Sequence, residues 1–151
     1  MSFHLPRRAA AAAATAAAAL AVAAAPATAA KTYNETVVAT VKKASQKGTT
    51  LVYTGTVRSS VLGRGTVRQT VRLNGLNVTG SFTIRYKGGT VRGTVRAKAR
   101  LGLREATFTG TSRTTGGTGR YKGATGSGSY RGTGALNMSG ATFRSTGTIT
   151  F

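Results

Sequence analysis

The stretch TVRGTVRAKARL, residues 90–101, alternates small or apolar residues with basic or threonine residues along its whole length. Val91 and Val95 fall on one side of the alternation, and Arg92 and Arg96 fall on the other. Successive side chains of a β-strand point to opposite faces of the sheet, so this period of two predicts a strand with one buried and one wet face. Valine and threonine favour that conformation because their branched Cβ atoms fit the pleat.

Comparable alternation continues through most of the chain after residue 31 and predicts an all-β protein. Glycine and asparagine separate the runs, for example at Asn74-Gly75, Lys87-Gly88-Gly89 and Thr115-Gly116-Gly117, and both residue types accept the positive φ angles of hairpin turns. We predict a single closed antiparallel barrel of about eight strands over residues 31–151, because closure removes the exposed strand edges. The predicted strands cover residues 35–41, 50–59, 65–73, 80–87, 90–101, 105–113, 126–134 and 141–151.

The first predicted strand has a helical alternative. Val37, Val38, Val41 and Ala44, followed by Gly48, also fit one face of an amphipathic helix. The three valines are β-branched, and this favours the strand.

Residues 1–30 have the three parts of a secretory signal peptide. Residues 1–8 are short and positively charged, residues 9–25 are apolar and rich in alanine, and Ala27-Thr28-Ala29 gives the small-x-small pattern that a signal peptidase recognises. We therefore expect cleavage after Ala29 or Ala30 and a mature protein that is secreted or held in the cell envelope. An uncleaved membrane anchor is the alternative, although alanine is only weakly hydrophobic. No second long apolar run follows, so we expect no transmembrane helix after cleavage.

The chain is strongly basic, with 22 Lys and Arg residues against two acidic residues among its 151 residues. Loss of the predicted leader removes Arg7 and Arg8 and lowers the formal net charge from +20 to +18. Internal ion pairs cannot neutralise such a chain, so it is expected to attract anions. Cysteine is absent, so the fold depends on packing and backbone hydrogen bonds without disulfides.

The residue inventory excludes most enzyme chemistries. The only histidine is His4, inside the predicted leader, so Ser-His-Asp and Cys-His nucleophile systems and imidazole or thiolate metal sites are absent from the mature chain. Glu35 and Glu105 could serve a glycosidase mechanism only if the topology made them face each other. Each is expected instead to neutralise a neighbouring arginine. We predict no catalytic residue, no metal and no cofactor, and this inventory favours a non-enzymatic protein.

The stretch GGTGRYKGATGSGSY, residues 116–130, resembles the late hairpin of the allene oxide cyclase and dirigent barrels. In those barrels a Gly-Gly-Thr-Gly turn precedes an aromatic residue, a small residue and glycine. Exported bacterial proteins of the same superfamily look similar, with Gly-Thr-Gly repeats that run into a threonine-rich last strand like residues 141–151. The resemblance covers a minor part of the chain and implies an eight-stranded antiparallel barrel with an apolar lumen.

The same resemblance implies little about catalysis. Dirigent proteins use carboxylates in the lumen, and the plant cyclases also use a glutamate and a cysteine. The present chain has no cysteine and no carboxylate at a matching position. No catalytic residue is therefore carried over from this superfamily.

Basic residues recur on the polar side of three successive predicted strands and form a candidate polyanion-binding surface. If the apolar side fills the lumen, the basic side chains face water and stand beside threonine hydroxyls, which together suit phosphate or carboxylate oxygens. Partners of this kind are envelope polymers, acidic polysaccharide and nucleic acid. The residues of this candidate surface are Arg68, Arg72, Arg85, Arg92, Arg96, Lys98 and Arg100.

Three alternatives to polyanion binding stay open. The basic residues could be a solvated surface that keeps the protein soluble. The lumen could bind a small apolar molecule, with isomerase or cyclase chemistry by analogy to the resembling superfamily. The alternation and the terminal Phe151 also fit an outer-membrane barrel, although the strands look short for that role. Tyr86 and Tyr121 lie between basic residues but fall on the opposite face, so we predict that they fill the core.

Overall fold

The computed structural model describes residues 29–151 and shows eight antiparallel strands that close into one barrel. The predicted signal peptide, residues 1–30, lies outside the described residues except for its last two. The strands are β1 (Thr32–Lys47), β2 (Thr50–Ser59), β3 (Gly63–Asn74), β4 (Asn77–Tyr86), β5 (Gly89–Leu101), β6 (Glu105–Gly117), β7 (Thr125–Ala135) and β8 (Gly140–Thr150). Each strand pairs with the next along the chain, and β1 pairs with β8. The prediction of an all-β, eight-stranded closed barrel is confirmed.

The first strand is longer than predicted, and its helical alternative is wrong. β1 pairs with β2 from Val37 opposite Ser59 onward and with β8 from Thr32 opposite Thr150 onward. The strand thus has partners on both sides, and its pairing with β8 closes the barrel. A helix over these residues would leave two strand edges open, which explains why the strand is preferred.

The turns confirm most of the predicted hairpins and correct one. Gly75 and Gly88 have φ angles of +58° and +97°, which suit the tight turns in which they lie. The predicted turn at Thr115-Gly116-Gly117 is wrong, because β6 continues through Gly117, which pairs with Val91. The chain reverses instead over residues 118–124, which contain a single turn of 3-10 helix at Gly119–Tyr121.

The apolar side of each strand faces the lumen, and the basic and threonine side faces outward. The buried core consists of valines, aromatic residues and alanines, together with Leu51, Ile84 and Ile149. Every lysine and arginine from residue 31 onward is exposed. Tyr86 and Tyr121 are both buried, which confirms their predicted place in the core. Alternation along the strands therefore assigned the two faces correctly.

Glycines opposite large side chains allow the narrow lumen to be filled. The interior of an eight-stranded barrel is just wide enough for side chains, so two large residues cannot occupy every pair of inward positions. Phe82 pairs with Gly93, and Gly132 lies between Phe108 and Phe143. In each case the glycine provides the space that the aromatic ring occupies.

The antiparallel order places the connections alternately at two ends of the barrel. One end, here called the mouth end, carries both termini of the barrel and the β2–β3, β4–β5 and β6–β7 connections. The other end carries the hairpin turns β1–β2, β3–β4, β5–β6 and β7–β8 and is called the leucine end, because exposed leucines lie on its turns.

Candidate functional site

The seven predicted anion-binding residues lie together on the outside of three neighbouring strands. They form what is here called the outer basic face, and all seven side chains are exposed. The face consists of Arg68 and Arg72 on β3, Arg85 on β4, and Arg92, Arg96, Lys98 and Arg100 on β5. The structure thus brings together every residue that the sequence assigned to this surface.

Threonines separate the arginines in rows that cross these strands. Thr83 on β4 pairs with both Arg68 and Arg92, and Thr79 pairs with both Arg72 and Arg96. Because neighbouring strands lie about 4.8 Å apart, the two arginines of a row start from backbones about 10 Å apart. Each row therefore offers two guanidinium groups with a hydroxyl between them.

Neighbouring basic residues along β5 are closer together than the two arginines of one row. Arg96, Lys98 and Arg100 occupy alternate positions and all point outward. Alternate residues of a strand are about 6.7 Å apart, so these three cations form a line of closely spaced charges. A flexible polyanion lying along this line could contact all three.

Further cations, not included in the prediction, extend the basic surface onto the neighbouring strands. Arg113 on β6, Arg131 on β7 and Arg144 on β8 are exposed. Arg131 and Arg144 pair directly across β7 and β8, and like charges in that relation destabilise a sheet unless an anion lies between them. Both line a shallow outer depression with Thr109 and Thr133. The same period of two in the sequence could have identified these arginines.

Neither acidic residue lies within the outer basic face. Glu35 is in β1 near the mouth end, where it lines a cavity in the lumen, and Glu105 begins β6 at the leucine end. The two carboxylates are therefore at opposite ends of the barrel and cannot act as a facing catalytic pair. With no acidic residue among them, the positive charges of the outer basic face add rather than cancel.

A cavity of about 80 Å³ occupies the lumen towards the mouth end. Its wall is mainly apolar, with Val67, Ile84 and Ile149 among the lining residues. Polar groups also reach it; these are Glu35, Gln69, Tyr86, Ser112, Thr114, Tyr130 and Ser145. The volume is enough for several water molecules or one small ligand of a few heavy atoms.

Among residues 29–151, Glu35 is the only charged side chain that lines this lumen cavity. Ser59 Oγ donates a hydrogen bond to its carboxylate and accepts hydrogen bonds from the backbone N–H groups of Val61 and Leu62, at 3.1 and 2.9 Å. The contact with Ser59 replaces the arginine partner that the sequence predicted. Desolvation raises the pKa of Glu35, and the hydrogen bond from Ser59 lowers it by less. Burial, and secondarily the Glu35 charge, raises the pKa of the nearby Tyr86 hydroxyl.

Three side chains divide the lumen cavity from a second, smaller cavity towards the leucine end. Gln69 Nε2 donates a hydrogen bond to the Tyr130 hydroxyl at 3.1 Å, and the Tyr130 ring stacks on Phe143 with centroids 5.0 Å apart. All three residues line both cavities and are here called the lumen partition. Burial raises the pKa of the Tyr130 hydroxyl, so it remains a neutral donor and acceptor at physiological pH.

Replacing Glu35 by glutamine should change the pH dependence of stability. A carboxyl group whose pKa is raised by folding contributes its full stability below its unfolded pKa, and that contribution is lost as pH rises through the folded pKa. We therefore expect the unfolding free energy of the wild type to fall from about pH 4 upward, since the raised pKa of Glu35 makes the folded state bind the proton more tightly than the unfolded chain does. E35Q keeps an acceptor for Ser59 and should lack this fall. Its unfolding free energy at neutral pH should therefore be higher than that of the wild type. Urea unfolding from pH 4 to pH 8 measures both curves; parallel curves would contradict the prediction.

Residues 29–151 contain no group of three or more His, Cys, Asp or Glu side chains that could hold a metal ion. Over the same residues, no helix has the length and apolarity needed to cross a membrane.

Comparison with known proteins gives no family assignment. No protein-family model matches the chain, and no curated protein matches it in sequence. The likeness of residues 116–130 to allene oxide cyclase and dirigent barrels therefore stays a prediction.

Proposed function

We propose that the protein is an exported, non-enzymatic barrel that binds polyanions outside the cytoplasm through its outer basic face. The observation that carries the proposal is the pair of Arg-Thr-Arg rows that cross β3, β4 and β5, Arg68-Thr83-Arg92 and Arg72-Thr79-Arg96. An ordinary solvated surface needs charge, but it does not need cations on one side of neighbouring strands with no acidic residue among them.

Each row suits the oxygens of phosphate, sulfate or carboxylate groups. Guanidinium groups bind such oxygens by paired, charge-assisted hydrogen bonds, and the threonine between them adds a hydroxyl donor. The closed sheet holds the strand backbones in register, so the Cα atoms of the basic residues form a fixed array. Their flexible side chains extend outward from it. Nothing in this array selects one polymer sequence, and binding is expected to follow charge density.

Replacing Arg68, Arg92 and Arg96 together by serine should weaken polyanion binding strongly. The three side chains are exposed, so the fold should be unaffected. Each phosphate contact contributes about 0.9 to the slope of log affinity against log salt on duplex DNA, so the slope should fall by about 3. The affinity at low salt should fall about tenfold to a hundredfold. Fluorescence anisotropy with mixed-sequence DNA and with polygalacturonate, at low and physiological salt, measures both quantities.

A matched control separates the outer basic face from net charge. Lys31, Lys87 and Lys122 are exposed and lie towards the mouth end, so their replacement by serine removes the same three charges outside the face. We expect this control to lose at most a few-fold in affinity. Equal losses in the two triple variants would show that only net charge matters. No measurable binding of the wild type at low salt would overturn the proposal altogether.

The lumen cavity supports a second candidate function, the binding of a small, mainly apolar molecule. An apolar wall with a few converging polar groups is typical of ligand sites, and Glu35, Gln69 and Ser145 supply such groups here. At about 80 Å³ the cavity admits only a very small ligand. Replacing Phe143 by alanine enlarges the lumen and tests its capacity. An apolar probe that enters the lumen should bind this variant more tightly than it binds the wild type. Isomerase or cyclase chemistry rests only on the family resemblance.

A further inference from the structure

Exposed leucines are concentrated at one end of the barrel. Leu76 lies in the β3–β4 turn, Leu101 and Leu103 at the β5–β6 turn, and Leu136 in the β7–β8 turn. Leu103 is fully exposed, at 101% of its reference area, and the other three are 43–64% exposed. Within residues 29–151, the other exposed large hydrophobic residues are Tyr33 and Val38, neither of which lies at the leucine end. Turn residues of a soluble protein are ordinarily polar, so this pattern needs a reason.

The three turns are neighbours around the rim. The backbone N–H of Ala99 donates a hydrogen bond of 2.7 Å to the carbonyl of Leu76, which holds the β3–β4 turn against the end of β5. On the other side, Glu105 pairs with Ala135, so Leu136 follows directly beside the β5–β6 turn. The leucines therefore project from adjacent points of one rim rather than from scattered sites.

Cations surround the leucines at this end. Lys47 is the last residue of β1 and lies at the β1–β2 turn, the remaining turn of this end. Lys98 and Arg100 lie near the end of β5. Arg104 directly follows Leu103. The backbone N–H of Lys43 donates a hydrogen bond of 2.8 Å to the carbonyl oxygen of Ser139, so this part of β1 lies against the β7–β8 turn. Glu105 is the only acidic residue among them. Exposed leucines surrounded by basic side chains match the surface of an anionic bilayer, where lipid phosphates lie just outside the hydrocarbon region.

We propose that the leucine end docks onto the surface of a bilayer that contains anionic phospholipid. The leucines enter the boundary between headgroups and acyl chains, and the surrounding lysines and arginines contact lipid phosphates. The barrel then stands on the membrane with Lys98 and Arg100, at the edge of the outer basic face, near the lipid, while the two Arg-Thr-Arg rows stay open to solvent along its wall. This surface differs from the polyanion-binding rows, so the two proposals can fail separately.

Replacing Leu76, Leu101, Leu103 and Leu136 together by serine tests the apolar half of the contact. All four side chains are exposed, and the net charge is unchanged. Sedimentation with vesicles of phosphatidylglycerol and phosphatidylcholine at physiological salt should show partitioning of the wild type, reduced about a hundredfold or more in the variant. Vesicles of phosphatidylcholine alone should bind neither protein well. Equal binding of wild type and variant to the anionic vesicles would mean that charge alone acts and would overturn the proposal.

A tryptophan reporter shows directly which part of the barrel meets the lipid. The chain has no tryptophan, so Leu103→Trp places a single indole fluorophore at the most exposed leucine. Its fluorescence should shift to shorter wavelength on anionic vesicles and should be quenched by brominated acyl chains. Val38→Trp, at an exposed position on the barrel wall, is the control and should show neither change. The same response from both reporters, or no response at Leu103→Trp, would contradict docking by the leucine end.

Discussion

Gly110→Val should destabilise the barrel by about 3 kcal/mol or more, which is a large loss for one side chain. Gly110 lies in β6 between Phe108 and Ser112 and faces the lumen. A Cβ atom at this position would overlap the carbonyl oxygen of Arg96 and lie 2.5 Å from the Cα atom of Ala97. These atoms belong to the backbone of β5, so no side-chain rotation relieves the overlap, and two paired strands must separate.

The measurement is urea or guanidinium unfolding followed by far-UV circular dichroism. We expect a lower midpoint with an unchanged slope, since the surface exposed on unfolding stays the same. Gly123→Ala is the control, because Gly123 has a φ of +77° and nothing within 4 Å of its Cβ position. That variant should lose only about 1 kcal/mol through backbone strain. A Gly110→Val protein as stable as Gly123→Ala would show that the strands yield easily and would contradict the prediction.

The alternation of residues predicted the fold class and the outward direction of the basic residues, for a physical reason. A strand has a period of two, so the sequence alone assigns Arg92 and Val91 to opposite faces. It does not state which strand pairs at which register. The complementarity of Gly110 with Tyr130, and of Gly93 with Phe82, depends on that register and was not predicted.

The site shows the same division between local and non-local information. The outer basic face could be predicted because its seven residues lie on strands consecutive in the chain, which pair as neighbours. The lumen partition could not, because Gln69 and Tyr130 are 61 residues apart and meet across the lumen. Glu35 was expected to pair with an arginine, but its strand closes the barrel and directs the carboxylate towards Ser59 and the lumen. A single leucine in a turn likewise carries no signal until topology places four of them on one rim.

Phe143→Ala is expected to cost about 3–5 kcal/mol of unfolding free energy. Phe143 is buried, stacks on Tyr130, and lies 5.7 Å from Phe108 between ring centroids. Its removal deletes these contacts and leaves space that the hydrogen-bonded strands cannot easily close. Phe151→Ala is a matched control, because Phe151 is only half-buried at the chain terminus and should cost about 1–2 kcal/mol when truncated.

The same variant should gain a capacity to bind small apolar molecules in its lumen. Without the Phe143 ring, the cavities on the two sides of the lumen partition become continuous, and their shared wall is mainly apolar. A small aromatic molecule such as toluene should then bind the folded state and raise the thermal midpoint of Phe143→Ala with concentration, more than that of wild type. Recovery of stability with toluene would show that the barrel keeps an open lumen. A loss below about 1 kcal/mol, with no response to toluene, would mean that the strands collapse around the missing ring. In that case the lumen is a compliant core, and the outer surfaces of the barrel are left as the place where binding occurs.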